Sequence, residues 1–261
     1  MKTKIKEVMK TKIKMIVADL DGTLLKSDKT ISDMTRAVLN RCQDNGIKVV
    51  YATGRGSTAR KLTYPQHFDG RVINNGAFAY VEDKEVYKRL IPSQTARLLL
   101  TACAKLGIRV TAEANDIHYS NFVTSDVWPI VSNYEIVDFE KFCFDTEKIC
   151  ILYRNQEDIA FIQSQMTDEL YLFLARDGFA IASHRDAIKS KGIKAVAKVF
   201  SIDMSEVVAF GDDLNDLDMF ERVGMSIAMG NAVERVKAAA DFVCGGNDED
   251  GVAEWLEKNI L

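Results

Sequence analysis

The chain has 261 residues, of which 47% are hydrophobic and 28% charged, and its formal net charge is -4. These are the proportions of a globular protein with one large domain or two modest ones, and the mild acidity excludes the basic footprint of a nucleic-acid-binding surface. No apolar run reaches the length of a membrane span, and five scattered cysteines with no CxxC pair read as reduced thiols of a cytoplasmic protein.

MKTKIK occurs at residues 1–6 and again at 9–14. No apolar core of signal-peptide length follows, so residues 1–10 are expected to form a solvated tail, and translation could equally begin at Met9. From Ile13 to Ala18 the pattern is that of a strand. Ser32 has the character of a helix N-cap, and the spacing of Met34, Ala37, Val38 and Leu39 predicts a helix to Asn45, closed by Gly46. Ile47–Ala52 reads as a second strand, followed by a helix to about Leu62. Arg71–Asn74 reads as a third strand, and Asn75-Gly76 is a turn signal.

From about Glu82 to Ser183 the rhythm changes. A helix is predicted over Ser93–Leu106, a strand over Ile108–Ala112, and another over Ile149–Tyr153. A helix over Gln156–Glu169 and strands at Leu170–Ala175 and Phe179–Ala182, around Asp177-Gly178, complete the stretch. Strand–helix alternation then resumes. The expected elements are a helix at Lys191–Phe200, strands at Val207–Phe210 and Ser226–Met229, a helix at Ala232–Ala240, a weak strand at Phe242–Cys244 and a helix at Val252–Asn259. Alternating units at both ends of a chain predict one parallel sheet covered on both faces. The fold class is therefore α/β, a Rossmann-like core over 11–83 and 184–261, with an α+β insert over 84–183.

Four short segments carry chemistry. Asp19-Leu20-Asp21-Gly22-Thr23-Leu24 follows the first strand, at the end where parallel sheets bind ligands. Two carboxylates there are costly unless a cation or a reaction uses them. The pair suggests an acyl-phosphate enzyme, in which one carboxylate attacks phosphorus, the other moves a proton, and Mg²⁺ holds both reactants. Thr53-Gly54-Arg55 offers a hydroxyl and backbone N–H groups suited to a phosphate oxygen. Ser190-Lys191-Gly192 opens a helix with a lysine able to neutralise a phosphoryl group. Gly211-Asp212-Asp213-Leu214-Asn215-Asp216 places three carboxylates in five residues after an apolar strand, which is an Mg²⁺ signal.

In this order and spacing, DLDGTL, TGR, SKG and GDDLND resemble the haloacid dehalogenase-like (HAD) superfamily, and more narrowly its Cof-type sugar-phosphatase branch with a class IIB cap. Asn75-Gly76-Ala77, Met229-Gly230-Asn231-Ala232 and Asp248-Glu249-Asp250-Gly251 resemble further segments of that branch. The resemblance implies that Asp19 is the nucleophile and that Asp21 protonates the leaving oxygen and later activates water. It implies Mg²⁺ held by Asp19, the Asp21 backbone carbonyl and Asp212, with Asp213 and Asp216 supporting. The backbones of Leu20 and Gly54, with Thr53, Lys191 and Asn215, would hold phosphate. Arg55 and Asn75, near strand ends, join them as substrate-binding candidates.

The expected activity is Mg²⁺-dependent hydrolysis of small phosphomonoesters, sugar phosphates or related metabolites, through an aspartyl-phosphate. The alternative is phosphotransfer or phosphomutase chemistry on the same site. A signalling receiver, which also phosphorylates an aspartate, is about half this length and lacks the second Asp. The expected partner is a small phosphorylated metabolite, with no nucleic acid and no membrane. Only 33 residues separate Asp19 from Thr53, so the insert follows the third strand, and the resemblance makes it a cap closing over the site. Glu113, Asn115, His118, Tyr119 and Asn121, a polar cluster after a strand, are the candidate substrate contacts of the cap, though each reads more readily as a loop residue. Trp128, Phe122, Phe139, Phe142 and Phe144 read as core of the insert.

Overall fold

A computed structural model describes residues 13–129, 131–175 and 178–261. The expected tail over 1–10 and Asp177 of the expected Asp177-Gly178 turn lie outside the described residues. The chain divides into two compact units, one ending at Lys88 and resuming over Ile188–Leu261, the other Arg89–Ala187.

The first unit opens with β1 (Met15–Ala18), α1 (Asp33–Asp44), β2 (Lys48–Ala52), α2 (Ala59–Thr63), β3 (Gly70–Ile73), β4 (Phe78–Val81) and β5 (Lys84–Lys88). The second unit contains α3 (Ser93–Lys105), β6 (Arg109–Ala114), β7 (Ile117–Ser120), β8 (Tyr134–Ile136), β9 (Lys148–Leu152), α4 (Gln156–Ser164), β10 (Leu170–Leu174) and β11 (Ala180–His184). The first unit resumes with α5 (Lys189–Val199), β12 (Val207–Gly211), α6 (Leu217–Phe220), β13 (Met225–Ala228), α7 (Glu234–Ala239), β14 (Phe242–Val243) and α8 (Gly251–Asn259).

The first unit is built on an eight-stranded sheet in the order β14-β13-β12-β1-β2-β3-β4-β5. The run from β14 to β3 is parallel, while β4 and β5 pair antiparallel. Every residue of β1 and β12 is buried, as expected of central strands covered on both faces. From the β1/β12 boundary the strand order runs outward both ways. Right-handed crossovers therefore place α1 and α6 on opposite faces of the sheet, and the boundary is a topological switch point, where such sheets bind ligands. Ser32 caps α1 by accepting from the Thr35 N–H, and Thr35, Val38, Leu39 and Cys42 form its buried face.

The β4–β5 hairpin extends this sheet, so the insert runs Arg89–Ala187 rather than 84–183. The sequence reading attached Lys84–Lys88 to the insert because pairing with β4 breaks the strand–helix rhythm without leaving the sheet.

The second unit carries a six-stranded sheet in the order β10-β11-β9-β6-β7-β8. Its pairings are antiparallel except that of β7 with β8. Leu99, Leu100 and Cys103 of α3 pack in one core with Val110, Ala112, Ile149, Ile151, Ala180 and Ala182. Phe139 and Phe142 join that core, whereas Phe144 is exposed. The polar cluster expected mainly as loop lies largely in strands: Glu113 in β6, His118 and Tyr119 in β7. Asn115 and Asp116 form the two-residue hairpin turn between them, both with positive φ, the geometry that favours Asn and Asp. The Asn121 carboxamide bonds to Val110 N and Ile108 O, both at 2.9 Å.

Candidate active site

Asp19 stands immediately after β1 and is 6% exposed. Its N–H donates to Phe210 O of β12 at 3.0 Å, carrying the sheet register one step past the strand. The next residues close a tight turn: Leu24 N donates to Asp19 O and Leu25 N to Leu20 O. Leu20 itself is fully buried. Gly22 has φ +75°, and a Cβ built there would collide with the Asp212 carboxylate. Glycine is thus required twice, for the left-handed backbone and for the close approach of the β12 loop.

The β12 loop brings Asp212 to the same place. Thr23 Oγ1 donates to Asp212 Oδ1 at 3.0 Å. Carboxylate oxygens of Asp19, Asp212 and Asp216 all lie within 4.8 Å of one another. Asp216 is fully buried, and its Oδ2 accepts the backbone N–H groups of Asp212 and Asp213 at 2.9 and 3.1 Å. Asp213 Oδ1 accepts Leu214 N at 2.8 Å, capping the short 3₁₀ turn Leu214–Asp216.

One cation lies among these acids. Lys189, the first residue of α5, has no exposed surface, and its Nζ donates to Asp19 Oδ1 and Asp216 Oδ1, both at 2.7 Å. Lys191, the lysine chosen from sequence, is on the exposed side of α5. The expectation is corrected by two positions. Successive helical residues turn by about 100°, so residues two apart face roughly opposite ways. Lys189 shares its face with buried Gly192, Ile193 and Val196, the i, i+3, i+4, i+7 pattern of a core-facing stripe. That phase was available in the sequence and would have selected Lys189.

Electrostatics follow from burial. Burial pushes the Asp19 carboxyl up to about 8; Lys189 opposes this, and the Asp216 and Asp212 charges reinforce it. Burial also raises Asp212 to about 6, reinforced by Asp216 and opposed by the Thr23 hydroxyl. For Lys189, burial would lower the pKa, but Asp19 and Asp216 together raise it.

Asp21 differs. It is half-buried and grips two cations: Arg55 Nε and Nη2 reach its two oxygens at 2.5 and 2.7 Å, and Lys29 Nζ reaches Oδ1 at 2.8 Å. Burial opposes ionisation of Asp21, yet the Arg55 and Lys29 bonds outweigh it and hold its carboxyl below the usual range. Lys29 was not singled out from sequence, since a loop lysine eight residues from Asp21 carries no periodic signal.

The remaining predicted residues gather at the ends of β2 and β3. Thr53 is buried, its N–H bonds to Val72 O, and its Oγ1 accepts Arg55 N at 3.2 Å. Asn75 is buried with φ +54°, and its Oδ1 accepts from Asn215 Nδ2 at 3.0 Å. Gly54 lies against the Asn75 carboxamide. Gly76 has φ +104°, and any Cβ there would strike the Ile188 carbonyl. That contact fixes the residue preceding Lys189.

Acids, a buried lysine and a hydroxyl-bearing turn at the switch point of a parallel sheet define a phosphoryl-transfer centre of the aspartate type. Residues 16–256 match the family of haloacid dehalogenase-like hydrolases. The chain belongs to that family, in its Cof-type branch, and is a phosphatase of small phosphorylated compounds. It is 29% identical over 266 residues to the 5-amino-6-(5-phospho-D-ribitylamino)uracil phosphatase YitU of Bacillus subtilis (strain 168), covering 96% of this chain and 98% of that protein. Among solved structures it resembles the HAD subclass IIB sugar phosphatase BT4131, with TM-score 0.83 and 25% identity, over 94% of this chain and 98% of the other. It also resembles BT1666 of Bacteroides thetaiotaomicron, with TM-score 0.82 and 28% identity, over 94% of each chain. Among the described residues no helix is long and apolar enough to cross a membrane.

Proposed function

We propose that the protein hydrolyses small phosphomonoesters, sugar phosphates or related metabolites, with Mg²⁺ bound and Asp19 as the nucleophile. The observation that carries the reading is the grouping, among the described residues, of Asp19 and Asp212 with Lys189 at the end of β1, on the loop that also carries Asp21.

The donor set fits the cation. Lys189 occupies Oδ1 of Asp19 and Thr23 occupies Oδ1 of Asp212, which leaves Oδ2 of each for a metal. With the Asp21 backbone carbonyl these are hard oxygen donors, the set Mg²⁺ prefers. Both oxygens of Asp216 are already bonded to Lys189 and to backbone N–H groups, so its role is to hold the loop and the lysine. When bound, Mg²⁺ would offset the repulsion between the Asp19 carboxylate and an anionic phosphate.

The chain's own residues do the rest. An Asp19 oxygen attacks phosphorus, the bond from phosphorus to the ester oxygen breaks, and Asp21 gives that oxygen its proton. Water then attacks the aspartyl-phosphate, Asp21 takes a proton from it, and the Asp19–phosphorus bond breaks to release inorganic phosphate. Arg55 and Lys29 favour the ionised Asp21 needed for the second step. A dianionic phosphate competes with Asp21 for Arg55, which frees Asp21 to carry the proton of the first step. Thr53, the Gly54 and Leu20 backbones, Asn215 and Asn75 cradle the phosphoryl oxygens, and the unit spanning Arg89–Ala187 serves as the cap that selects the leaving group.

A panel of phosphorylated metabolites, assayed for inorganic phosphate with Mg²⁺ and with EDTA, tests this reading. Release from a few sugar phosphates, dependent on Mg²⁺ and absent in Asp19→Asn, is the expected result. Equal release by Asp19→Asn would refute the nucleophile, and phosphate found on an added acceptor would favour phosphotransfer.

A further inference from the structure

Two segments singled out in the sequence have no part in the chemistry above: Met229-Gly230-Asn231-Ala232 and Asp248-Glu249-Asp250-Gly251. Both bond to the loop that carries Asp21. Asn231 Nδ2 donates to Gly22 O at 2.8 Å, and Asn231 Oδ1 accepts Asn247 N at 3.0 Å. Asn247 Nδ2 in turn donates to Leu25 O at 2.9 Å. The two asparagines thus hold both ends of the turn between Asp21 and Leu25. Farther along the loop, Asp248 accepts Ser27 N at 2.8 Å and Ser27 Oγ at 2.7 Å. Asp250, with φ +56°, accepts Ser32 Oγ, Thr35 Oγ1 and Lys26 Nζ at 2.5, 3.1 and 3.3 Å.

The same clamp is tied to the metal-binding side. Met229 N donates to Gly211 O and Val233 N to Asp212 O, both at 3.0 Å. Asn231 sits between these two bonds in the chain. It therefore links the backbone bearing Asp212 to the peptide after Asp21. Asn231 is exposed, yet its carboxamide oxygen and nitrogen both bond to backbone. An exposed asparagine serving only solubility would spend those groups on water.

We propose that Asn231 and Asn247 are positioning residues for Asp21: they fix the Gly22–Leu25 turn so that the Asp21 carboxylate and carbonyl keep a constant relation to Asp19 and Asp212. The catalytic part of this inference rests on the phosphatase reading; the clamp itself does not.

Asn231→Asp and Asn247→Asp are isosteric, and each replaces a donor facing a carbonyl with an acceptor. Hydrogen exchange, followed by mass spectrometry on the metal-free and the Mg²⁺-loaded full chain, is expected to quicken about tenfold over residues 20–27 in either variant, with α1 protected as in the wild type. For the best substrate of the panel, kcat is expected to fall about 10-fold or more with KM within about threefold, the usual cost of losing a supporting hydrogen bond at a metal site. Asn231→Ser, whose hydroxyl can still donate, should recover part of the loss. Unchanged exchange over residues 20–27 would overturn the clamp. Quickened exchange with kcat within about twofold of wild type would overturn the positioning role. A wild type that releases no phosphate would refute the phosphatase reading and, with it, the positioning role, while the exchange data still decide the clamp.

Discussion

Lys189→Met removes the cation that, among the described residues, touches both Asp19 and Asp216, while keeping a side chain of similar length. Its ammonium has no exposed surface and sits 2.7 Å from each carboxylate. Water cannot replace it, so two buried acids lose their counter-charge. Breaking a buried ion pair from one side costs about 3–5 kcal/mol. The loss depends on pH, because a carboxyl can escape the cost by taking a proton. With Lys189 present Asp19 already titrates near 8, burial being the main cause; without the cation it titrates higher still. The Asp19 part of the loss is therefore expected to set in as pH rises through about 8 and to grow above it, and to be small near pH 5. For a protein of this size each kcal/mol shifts the unfolding midpoint by roughly 2–4 °C. Scanning calorimetry of wild type and variant in EDTA, at about pH 5 and about pH 8.5, reads the difference directly. A midpoint equal to wild type at both pH values would refute the claim that this lysine compensates the acids. In the phosphatase assay the same variant should lose about 10²–10³ in kcat, whereas Lys191→Ala should stay within about threefold of wild type.

Asp21→Asn should lower kcat by roughly two to four powers of ten, the size of general acid–base effects, with phosphate release as the assay; near-wild-type turnover would remove Asp21 from the mechanism. Metal-free protein should lose stability as pH rises from about 4 to about 8. Across that window native Asp19 and Asp212, raised to about 8 and about 6, hold protons that the unfolded chain has released. Mg²⁺ displaces those protons, so it should raise the unfolding midpoint more near pH 8 than near pH 5; a larger gain at the acidic end would contradict the assignment. Gly22→Ala forces a side chain into a left-handed backbone and against the Asp212 carboxylate. It should cost about 1–3 kcal/mol and weaken Mg²⁺ binding, measured by titration calorimetry.

The parts of the site that lie at strand ends were legible in the sequence. An apolar run broken by Asp or Thr-Gly is a local signal, and β1, β2 and β12 each end in one. Register then brings Asp19 and Asp212 together, because β1 and β12 are neighbours although about 190 residues apart in the chain. The lysine was misplaced because a motif was read without its helical phase. Ile193, Val196 and Ala197 are buried, and extending their stripe backward reaches 189, not 191. Lys29 and the Lys189–Asp216 ion pair were not legible, since each depends on which polar atoms tertiary packing leaves facing one another. In the second unit, β7 and β8 escaped notice because four- and three-residue strands are too short for an alternation to stand out. The β5 segment was placed in the insert for a different reason. Periodicity reports that a segment is extended, not which sheet it joins.

The chain re-enters the first unit at Ile188, one residue before the lysine that meets Asp19. The Ile188 carbonyl is backed by Gly76, where no side chain fits, and Ser190 N is tied to Asp218 Oδ2 at 2.9 Å. Restraints on both flanks insulate that lysine from whatever the ninety-nine residues upstream undergo. On the proposed mechanism, a lineage could therefore exchange or reshape the whole inserted module without retuning the contacts that hold Lys189 to Asp19.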